Sequence, residues 1–153
     1  MTPGPIRAGI VAERVSWIRG MISSIRELPM EIFEEFVQDP RNPAAAESYL
    51  RRCIEALLDL GRHILAKGFA IAATEYKDIG QELFAQGIVT RDQAELFRRI
   101  AGYRNRMVHF YHEVDNEELY LLCTRNLQDL ETLLDELLDW LRNNPDKTDQ
   151  KIQ

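Results

Sequence analysis

The chain has 153 residues, 45% of them hydrophobic, and a formal net charge of -6. This size suits a single domain with one hydrophobic core, and the apolar content is ordinary for a globular protein. The acidic balance argues against a protein that coats nucleic acid over its whole surface, while it leaves room for a local basic site.

The first half of the chain has the periodicity of two long helices joined by a short one. Spacings of 4, 3, 4 and 3 residues define the apolar stripe of the first helix: Val11, Val15, Ile18, Ile22 and Ile25. Pro29 ends or bends this helix, and a short amphipathic helix is predicted over residues 30–39. In the second long helix, we expect Asn42 to cap the start, ahead of Pro43, and Gly68 to stop the end. The stripe of this helix is Leu50, Cys53, Leu57, Leu60 and Ile64.

The second half of the chain is predicted to form one short helix, over residues 75–87, and two long ones. Thr90 and Gln93 make a capping-box pattern that opens the third long helix. Asp115 and Glu118 repeat that pattern at the start of the last helix. The last helix carries the apolar stripe Cys123, Leu127, Leu130, Leu134, Leu137 and Leu141.

Four long amphipathic helices with short connections, and no alternating strand pattern, predict an all-α fold: an antiparallel helical bundle of four long helices plus short helices. We expect one domain over residues 1–142 and a polar, disordered tail over residues 143–153. Cys53 and Cys123 lie on apolar stripes without metal-ligand spacing, so buried free thiols are expected. The sequence has no signal-peptide pattern and no apolar run of membrane-spanning length, which predicts a cytoplasmic protein without a membrane partner.

The sequence "YRNRMVHFYH", residues 103–112, gives the third long helix a high density of hydrogen-bonding side chains. At about 100° per residue, a core stripe runs through Leu96, Ile100, Tyr103, Met107 and Phe110. Arg104 borders this stripe in line with Val108 and Tyr111, so its guanidinium needs a carboxylate, a phosphate or an open cleft. A third line on the same helix consists of Asn105, His109 and His112.

Spacing alone leaves the role of Arg104 and His109 open. The two residues are five positions apart, so their directions differ by about 140° and one ideal helix does not aim both at the same atom. A bent arginine side chain, a helix that ends near His109, or a second copy of the chain would each resolve this. Five arginines against two carboxylates over residues 91–106 make this region basic, as a phosphate ligand requires. For an isolated arginine and histidine, however, an ion-paired or hydrogen-bonded structural role is more common.

The segment "AGYRNRMVHFYHEVDNEELYLL" resembles the HepT family of minimal HEPN-domain proteins, which act as toxins in toxin–antitoxin pairs. The family motif is Arg-x4-His-x-Tyr, most often beginning as Gly-aromatic-Arg-Asn. The matching residues in this chain are Gly102, Tyr103, Arg104, Asn105, His109 and Tyr111. Upstream, "AAAESYLRRCIEALLDLGRHILA" and "EYKDIGQELFAQGIVT" are also similar to the family, so the resemblance covers about residues 25–142.

The resemblance implies an all-α HEPN fold, a homodimer, and an endoribonuclease that cuts RNA without a metal or another cofactor. In this reading His109 transfers protons and Arg104 binds the phosphate, while Asn105 orients His109 or contacts the phosphate. The ribose 2′-OH would attack the adjacent phosphate and leave a 2′,3′-cyclic phosphate. The implied partner is a minimal nucleotidyltransferase antitoxin, which would inactivate the toxin by transferring AMP from ATP to Tyr111.

The alternative is a non-catalytic helical module that binds a nucleotide or RNA and serves as the partner or substrate of a nucleotidyltransferase. Two further residues are candidates for a cleft beside the motif. His112 lies one turn after His109 and is equally typical of a surface histidine. Asp59 lies one turn before His63 on the second long helix, where an ordinary surface pair is the commoner arrangement.

Overall fold

The computed structural model describes residues 4–109 and 113–153. Seven α-helices and one short 3-10 helix (Pro145–Lys147) occur in these ranges. The α-helices are α1 (Ala8–Arg26), α2 (Phe33–Gln38), α3 (Arg41–Phe69), α4 (Tyr76–Ala85), α5 (Arg91–His109), α6 (Asn116–Arg125) and α7 (Leu127–Asn143). The all-α prediction is confirmed, since strand pairing in these ranges is limited to one parallel bridge between Ile6 and Thr148.

The central element of the bundle is α3, which packs against α1, α2, α4, α5, α6 and α7. The apolar stripes predicted for the first two long helices are buried in α1 and α3, as their periodicity requires. Cys53 and Cys123 are free thiols within this core, and burial raises the pKa of each to about 12. The core of the described residues contains no fully buried polar or charged side chain. Polar chemistry is therefore confined to the edges of the helix interfaces.

The start of α3 differs from the prediction that Asn42 caps it. The helix already begins at Arg41, and the Asp39 carboxylate accepts a hydrogen bond from the Arg41 backbone N–H at 2.9 Å. The same carboxylate binds the Arg41 guanidinium at 2.7 Å. Asp39 therefore satisfies the first free donor of the helix from outside it, and Pro43 is the third residue of the helix instead of the first. The preceding helix α2 is also shorter than predicted, because it begins only at Phe33.

The end of α3 differs from the prediction that Gly68 stops it. The helix continues to Phe69, and Ala70 takes the left-handed conformation with φ 56°. A side chain at Gly68 would approach the Ile6 side chain to 3.0 Å. Gly68 therefore serves close packing of the N-terminal segment, and the terminating conformation falls on an alanine that no local rule singles out.

Close contact between α4 and α5 places the start of α4 beside the candidate site. A Cβ atom at Gly80 would lie 2.6 Å from the Ala94 carbonyl oxygen and 2.7 Å from the Phe97 Cβ, so only glycine allows this approach. The predicted capping box at the start of α5 is confirmed. The Thr90 N–H donates to the Gln93 side chain at 2.8 Å, and the Gln93 N–H donates to the Thr90 hydroxyl at 3.1 Å.

The last predicted helix is divided into α6 and α7 at Asn126. The Asp115 side chain accepts from the Glu118 N–H at 2.8 Å, so the predicted cap is present at the start of α6. The predicted apolar stripe is buried along both pieces. Because the same face meets the core on either side of Asn126, hydrophobic periodicity gives no signal of the break.

The C-terminal residues differ from the disordered tail that their polar composition predicts. Ile6 donates its N–H to the Lys147 carbonyl at 2.7 Å, and Asp149 donates its N–H to the Ile6 carbonyl at 2.9 Å. The Asp149 carboxylate also accepts the Ala8 N–H at 2.8 Å, and Ile152 is buried. Backbone pairing and one apolar anchor, neither visible in composition, join residues 4–8 to residues 145–152. We call these two segments the terminal clasp. In the described ranges, no helix combines the length and apolar character that crossing a membrane requires.

Candidate active site

Arg104 projects from α5 towards α3 and binds a carboxylate there. Its Nη2 lies 3.0 Å from Glu55 Oε2 and its Nε lies 3.3 Å from the same oxygen. The Arg104 side chain is 20% exposed, so part of its charge is removed from water and the ion pair compensates for that loss. Of the three partners that the sequence left open, the structure therefore provides the carboxylate.

The aromatic ring of Tyr76, at the start of α4, lies between two guanidinium groups. Arg104 Cζ is 4.9 Å from the ring centroid and Arg62 Cζ is 4.7 Å from it, both within cation–π distance. The Tyr76 hydroxyl donates to Asp59 Oδ1 at 3.0 Å. Burial, followed by this hydrogen bond, raises the pKa of Tyr76 above its ordinary value. Tyr76 therefore adds a second contact, besides Glu55, that holds the Arg104 guanidinium.

These contacts form one polar network at the junction of α3, α4 and α5. Its members are Arg51, Glu55, Asp59, Arg62, Tyr76 and Arg104. We call this set the arginine network. Glu55 links two of its members, because its Oε1 also lies 3.1 Å from Arg51 Nη1. A guanidinium held by a carboxylate and an aromatic face is oriented before any ligand arrives, which is the arrangement that stabilises charge on a phosphate.

Sequence reasoning missed Glu55 and Tyr76. A signal for Glu55 exists, because it lies four residues from both Arg51 and Asp59 and so continues a polar line along α3. Tyr76 has no such signal, since its position depends on the close packing of α4 against α5. Asp59, a predicted cleft residue, does belong to the network. His63 does not, because it accepts the Arg7 N–H at 3.2 Å in the terminal clasp.

Asn105 and His109 relate differently to Arg104. Asn105 Oδ1 accepts from Arg104 Nη1 at 3.1 Å, so the amide adds a further contact to the guanidinium. His109 is the last residue of α5 and is exposed, outside the arginine network. The structure thus gathers Arg104, Asn105 and Asp59 into one cluster and leaves His109 on a different side of the helix. Tyr111 and His112, together with Phe110 of the predicted core stripe, lie outside the described residues.

The five arginines of residues 91–106 fall into two groups. Arg104 is paired with Glu55, and Arg106 is paired with Glu118 at 2.7 Å. The hydrogen bonds that Arg106 donates to the Glu118 carboxylate raise the pKa of Arg106 and tie α5 to the start of α6. The other three arginines have no carboxylate within 4 Å in the described ranges and are exposed: Arg91, Arg98 and Arg99. The positive charges of these three arginines are therefore exposed on the outer surface of α5. In the same ranges, no three histidine, cysteine or acidic side chains are grouped as a metal site would need.

Comparison with known proteins finds one relative by sequence and several solved helical structures that resemble this chain. It is 23% identical over 126 residues to the mRNA nuclease HepT of Shewanella oneidensis, with 82% of this chain and 94% of that protein covered. A solved structure of the tri-AMPylated Shewanella oneidensis HEPN toxin in complex with the MNT antitoxin superposes with a TM-score of 0.76, at 23% identity, covering 84% of this chain and 96% of the other. The cytosolic protein YutE of Bacillus subtilis, whose function is unknown, has the same fold with a TM-score of 0.73, at 18% identity, covering 88% of this chain and 90% of the other.

The sequence model of one family covers most of the chain. The ribonuclease HepT-like model matches residues 18–137, a range that includes the arginine network and the segment from Gly102 to Tyr111. The chain therefore belongs to the ribonuclease HepT-like family.

Proposed function

We propose that this protein is the toxin of a toxin–antitoxin pair, a metal-independent endoribonuclease with Arg104 and His109 as its catalytic residues. The observation that carries the proposal is the family match over residues 18–137, within which Arg104 is already oriented by Glu55 and Tyr76. The relative from Shewanella oneidensis is described as an mRNA nuclease, so RNA is the expected substrate class.

In the proposed reaction, His109 accepts the proton of the ribose 2′-hydroxyl while the 2′-oxygen bonds to the adjacent phosphorus. The bond from phosphorus to the 5′-oxygen breaks, and that oxygen takes up a proton from a second histidine or from water. The products are a 2′,3′-cyclic phosphate and a free 5′-hydroxyl. Arg104 donates hydrogen bonds to the phosphate oxygens, where negative charge increases in the transition state, and Asn105 keeps the guanidinium in place.

The proposed active enzyme is a homodimer. Within one chain, Arg104 points towards α3 and α4, whereas His109 lies on the exposed side of α5, about 140° away on a helical wheel. A second copy that brings its own α5 alongside would complete the site without bending either helix. Asp59 and His112 are then candidates for the edge of the shared cleft.

The proposed partner is a minimal nucleotidyltransferase antitoxin that transfers AMP from ATP to Tyr111. A solved relative is a HEPN toxin that is tri-AMPylated and bound to the MNT antitoxin, which supports this assignment. Tyr111 lies seven residues after Arg104 in the sequence. An AMP group attached there would bring a phosphate that competes with RNA for the guanidinium.

The test compares RNA cleavage by wild type, His109→Ala and Arg104→Ala, with His63→Gln as the control histidine outside the site. We expect both alanine variants to lose most activity and the control to retain it, with 2′,3′-cyclic phosphate ends on the wild-type products. A His109→Ala protein as active and as toxic as wild type would rule out the catalytic assignment. Mass spectrometry after co-expression with the antitoxin should then show added AMP that maps to Tyr111.

One observation favours the second candidate function, a non-catalytic binding module. Arg104 is already neutralised by Glu55 and does not contact His109 within one chain. On this view the motif is a contact surface, and the nucleotidyltransferase carries the activity. Intact RNA with wild-type protein, together with antitoxin binding that His109→Ala leaves unchanged, would select this candidate.

A further inference from the structure

The outer face of α5 carries a row of exposed residues that ends at His109. At about 100° per residue, the positions of Arg91, Arg98, Gly102 and His109 fall within roughly 40° of one another. All four are exposed. Arg98 precedes His109 by about 16 Å of helix and Arg91 precedes it by about 27 Å, as the rise of 1.5 Å per residue gives. This face is distinct from the one that carries Arg104.

The two arginines of this row are free to bind an anion. Neither Arg91 nor Arg98 has a carboxylate within 4 Å in residues 4–109 and 113–153, in contrast to Arg104 and Arg106 on the same helix. Arg91 is also oriented, because its Cζ lies 5.4 Å from the centre of the Phe84 ring. An exposed guanidinium without a carboxylate presents its full fork of donors to a phosphate.

Arg91 and Arg98 of this row also line a groove between α4 and α5. Its volume is about 340 Å³, and its charged lining residues are Lys77, Asp78, Arg91, Glu95 and Arg98. Lys77 is paired with Glu75 at 3.2 Å, so the positive charge available in the groove is that of Arg91 and Arg98, in a protein whose net charge is negative. Such a local excess attracts a polyanion although the whole chain does not.

Gly102 leaves the helix surface bare between Arg98 and His109. A Cβ atom at this position would meet no other atom within 4 Å, so the fold does not require glycine here. Glycine inside a helix is less stable than alanine by about 1 kcal/mol. A glycine with that penalty and no packing reason within one chain leaves the helix backbone open to close approach by another molecule.

We propose that this outer face of α5, with Arg91 and Arg98, binds the sugar–phosphate backbone of the RNA and leads it to His109. The inference rests on the proposed function, which gives RNA as the substrate class. It adds protein contacts to RNA phosphates other than the one that reacts. The row includes Gly102, where the RNA backbone can approach the helix closely. Glu95 lies beside the row, and its negative charge opposes RNA binding. The logarithm of the RNA affinity should therefore decrease linearly with the logarithm of the salt concentration, with a slope proportional to the number of phosphates that the protein neutralises.

The experiment measures binding of a fluorescent single-stranded RNA to the full-length protein by anisotropy at several salt concentrations. All variants carry His109→Ala, so that the RNA stays intact. For the added pair Arg91→Ala and Arg98→Ala, we expect the magnitude of the slope of log affinity against log salt to decrease by roughly 1.4, which is about 0.7 for each of the two lost phosphate contacts. Glu95→Gln should strengthen binding, which general damage to the fold would not do. Arg19→Ala removes an exposed arginine of α1 and should leave both affinity and slope unchanged.

An unchanged slope in the double variant, with circular dichroism showing intact helices, would overturn the inference. Loss of antitoxin binding with RNA binding retained would also overturn it, because the face would then contact a protein. The outcome is separate from that of the proposed function. Wild type that binds RNA with the predicted slope but never cleaves it would refute the nuclease and leave this surface assignment in place.

Discussion

Glu55 binds Arg51 and Arg104 at once, at distances of 3.1 and 3.0 Å. The side chains are only 25%, 29% and 20% exposed, so water solvates the three charges incompletely. Removing the carboxylate would leave the Arg104 guanidinium without its ion-pair partner in a partly desolvated place, while Arg51 would keep Glu47 at 3.5 Å. An unpaired charge of this kind destabilises more than the intact pair stabilises.

We therefore expect strong coupling between Glu55 and Arg104 in a double-mutant cycle. With Glu55→Ala, Arg104→Ala and the double variant, urea unfolding should give an interaction free energy of about 1–3 kcal/mol. The internal control is the pair Arg26 and Glu131, which are 51% and 40% exposed and 2.6 Å apart. That pair should couple by about 1 kcal/mol or less, because solvent screens it. Additive effects at Glu55 and Arg104 would show that the network only orients the arginine.

The need of Arg104 for a partner was predictable, whereas the partner itself was not. The residues around Arg104 place it against an apolar surface, and that is local information. Glu55 lies 49 residues earlier, and its distance from Arg104 depends on how α3 and α5 pack. For the same reason Tyr76 could not be found, since its ring reaches Arg104 only through the approach of α4 to α5.

Two glycines in helices have opposite surroundings and should respond oppositely to alanine. At Gly80 the new methyl group would lie 2.6 Å from a carbonyl oxygen, so α4 must move away from α5. At Gly102 the methyl group would meet nothing. The first change overpacks a helix interface and the second only improves helix propensity.

We predict that Gly80→Ala lowers the free energy of unfolding by roughly 1–3 kcal/mol. Gly102→Ala should raise it by up to about 1 kcal/mol. Chemical denaturation of both variants and wild type, at one pH and temperature, measures the difference. Equal effects of the two substitutions would mean that α4 shifts at no cost, and the close contact would then not explain the position of Tyr76.

Among the elements, those defined by neighbouring residues were predicted well. The stripes of α1 and α3 and the capping box of α5 depend on spacings of three and four residues, which the sequence displays directly. The ends of α3 and the break at Asn126 were not predicted. The start of α3 depends on the hydrogen bond from the Arg41 N–H to the Asp39 carboxylate, and its end depends on the left-handed conformation of Ala70. The break at Asn126 has no signal because the apolar stripe continues unchanged from α6 to α7.

Across the whole molecule, the terminal clasp makes stability depend on pH through His63. Its imidazole accepts the Arg7 N–H at 3.2 Å, which requires the neutral ring. Burial first, and then the charges of Lys67, Arg7 and Arg14, lower the pKa of His63, while Asp149 opposes this. The unfolded chain therefore binds a proton more readily than the folded one, and its histidine pKa is about 6.5.

We expect the free energy of unfolding to be highest above about pH 6.5 and to fall as the pH is lowered through and below that value. His63→Gln keeps an acceptor but does not titrate, so this variant should lose most of the dependence between pH 7.5 and 5.5. His109→Gln is the matched control and should keep it. The protection factor of the Arg7 amide against hydrogen exchange should be lower at pH 5.5 than at pH 7.5 in wild type. An identical pH profile for His63→Gln would contradict this assignment.

The two buried cysteines make the folded chain inert to thiol reagents at neutral pH, since thiols with a pKa of about 12 are almost wholly protonated. Cys53 lies between α3 and α1, where its sulfur is 3.8 Å from the Ile18 carbonyl oxygen, and Cys123 lies on α6. Each thiol can be alkylated only after its own part of the bundle opens. The natural sequence thus contains two separate reporters of local opening, and the order in which they react would show which part of the bundle separates first.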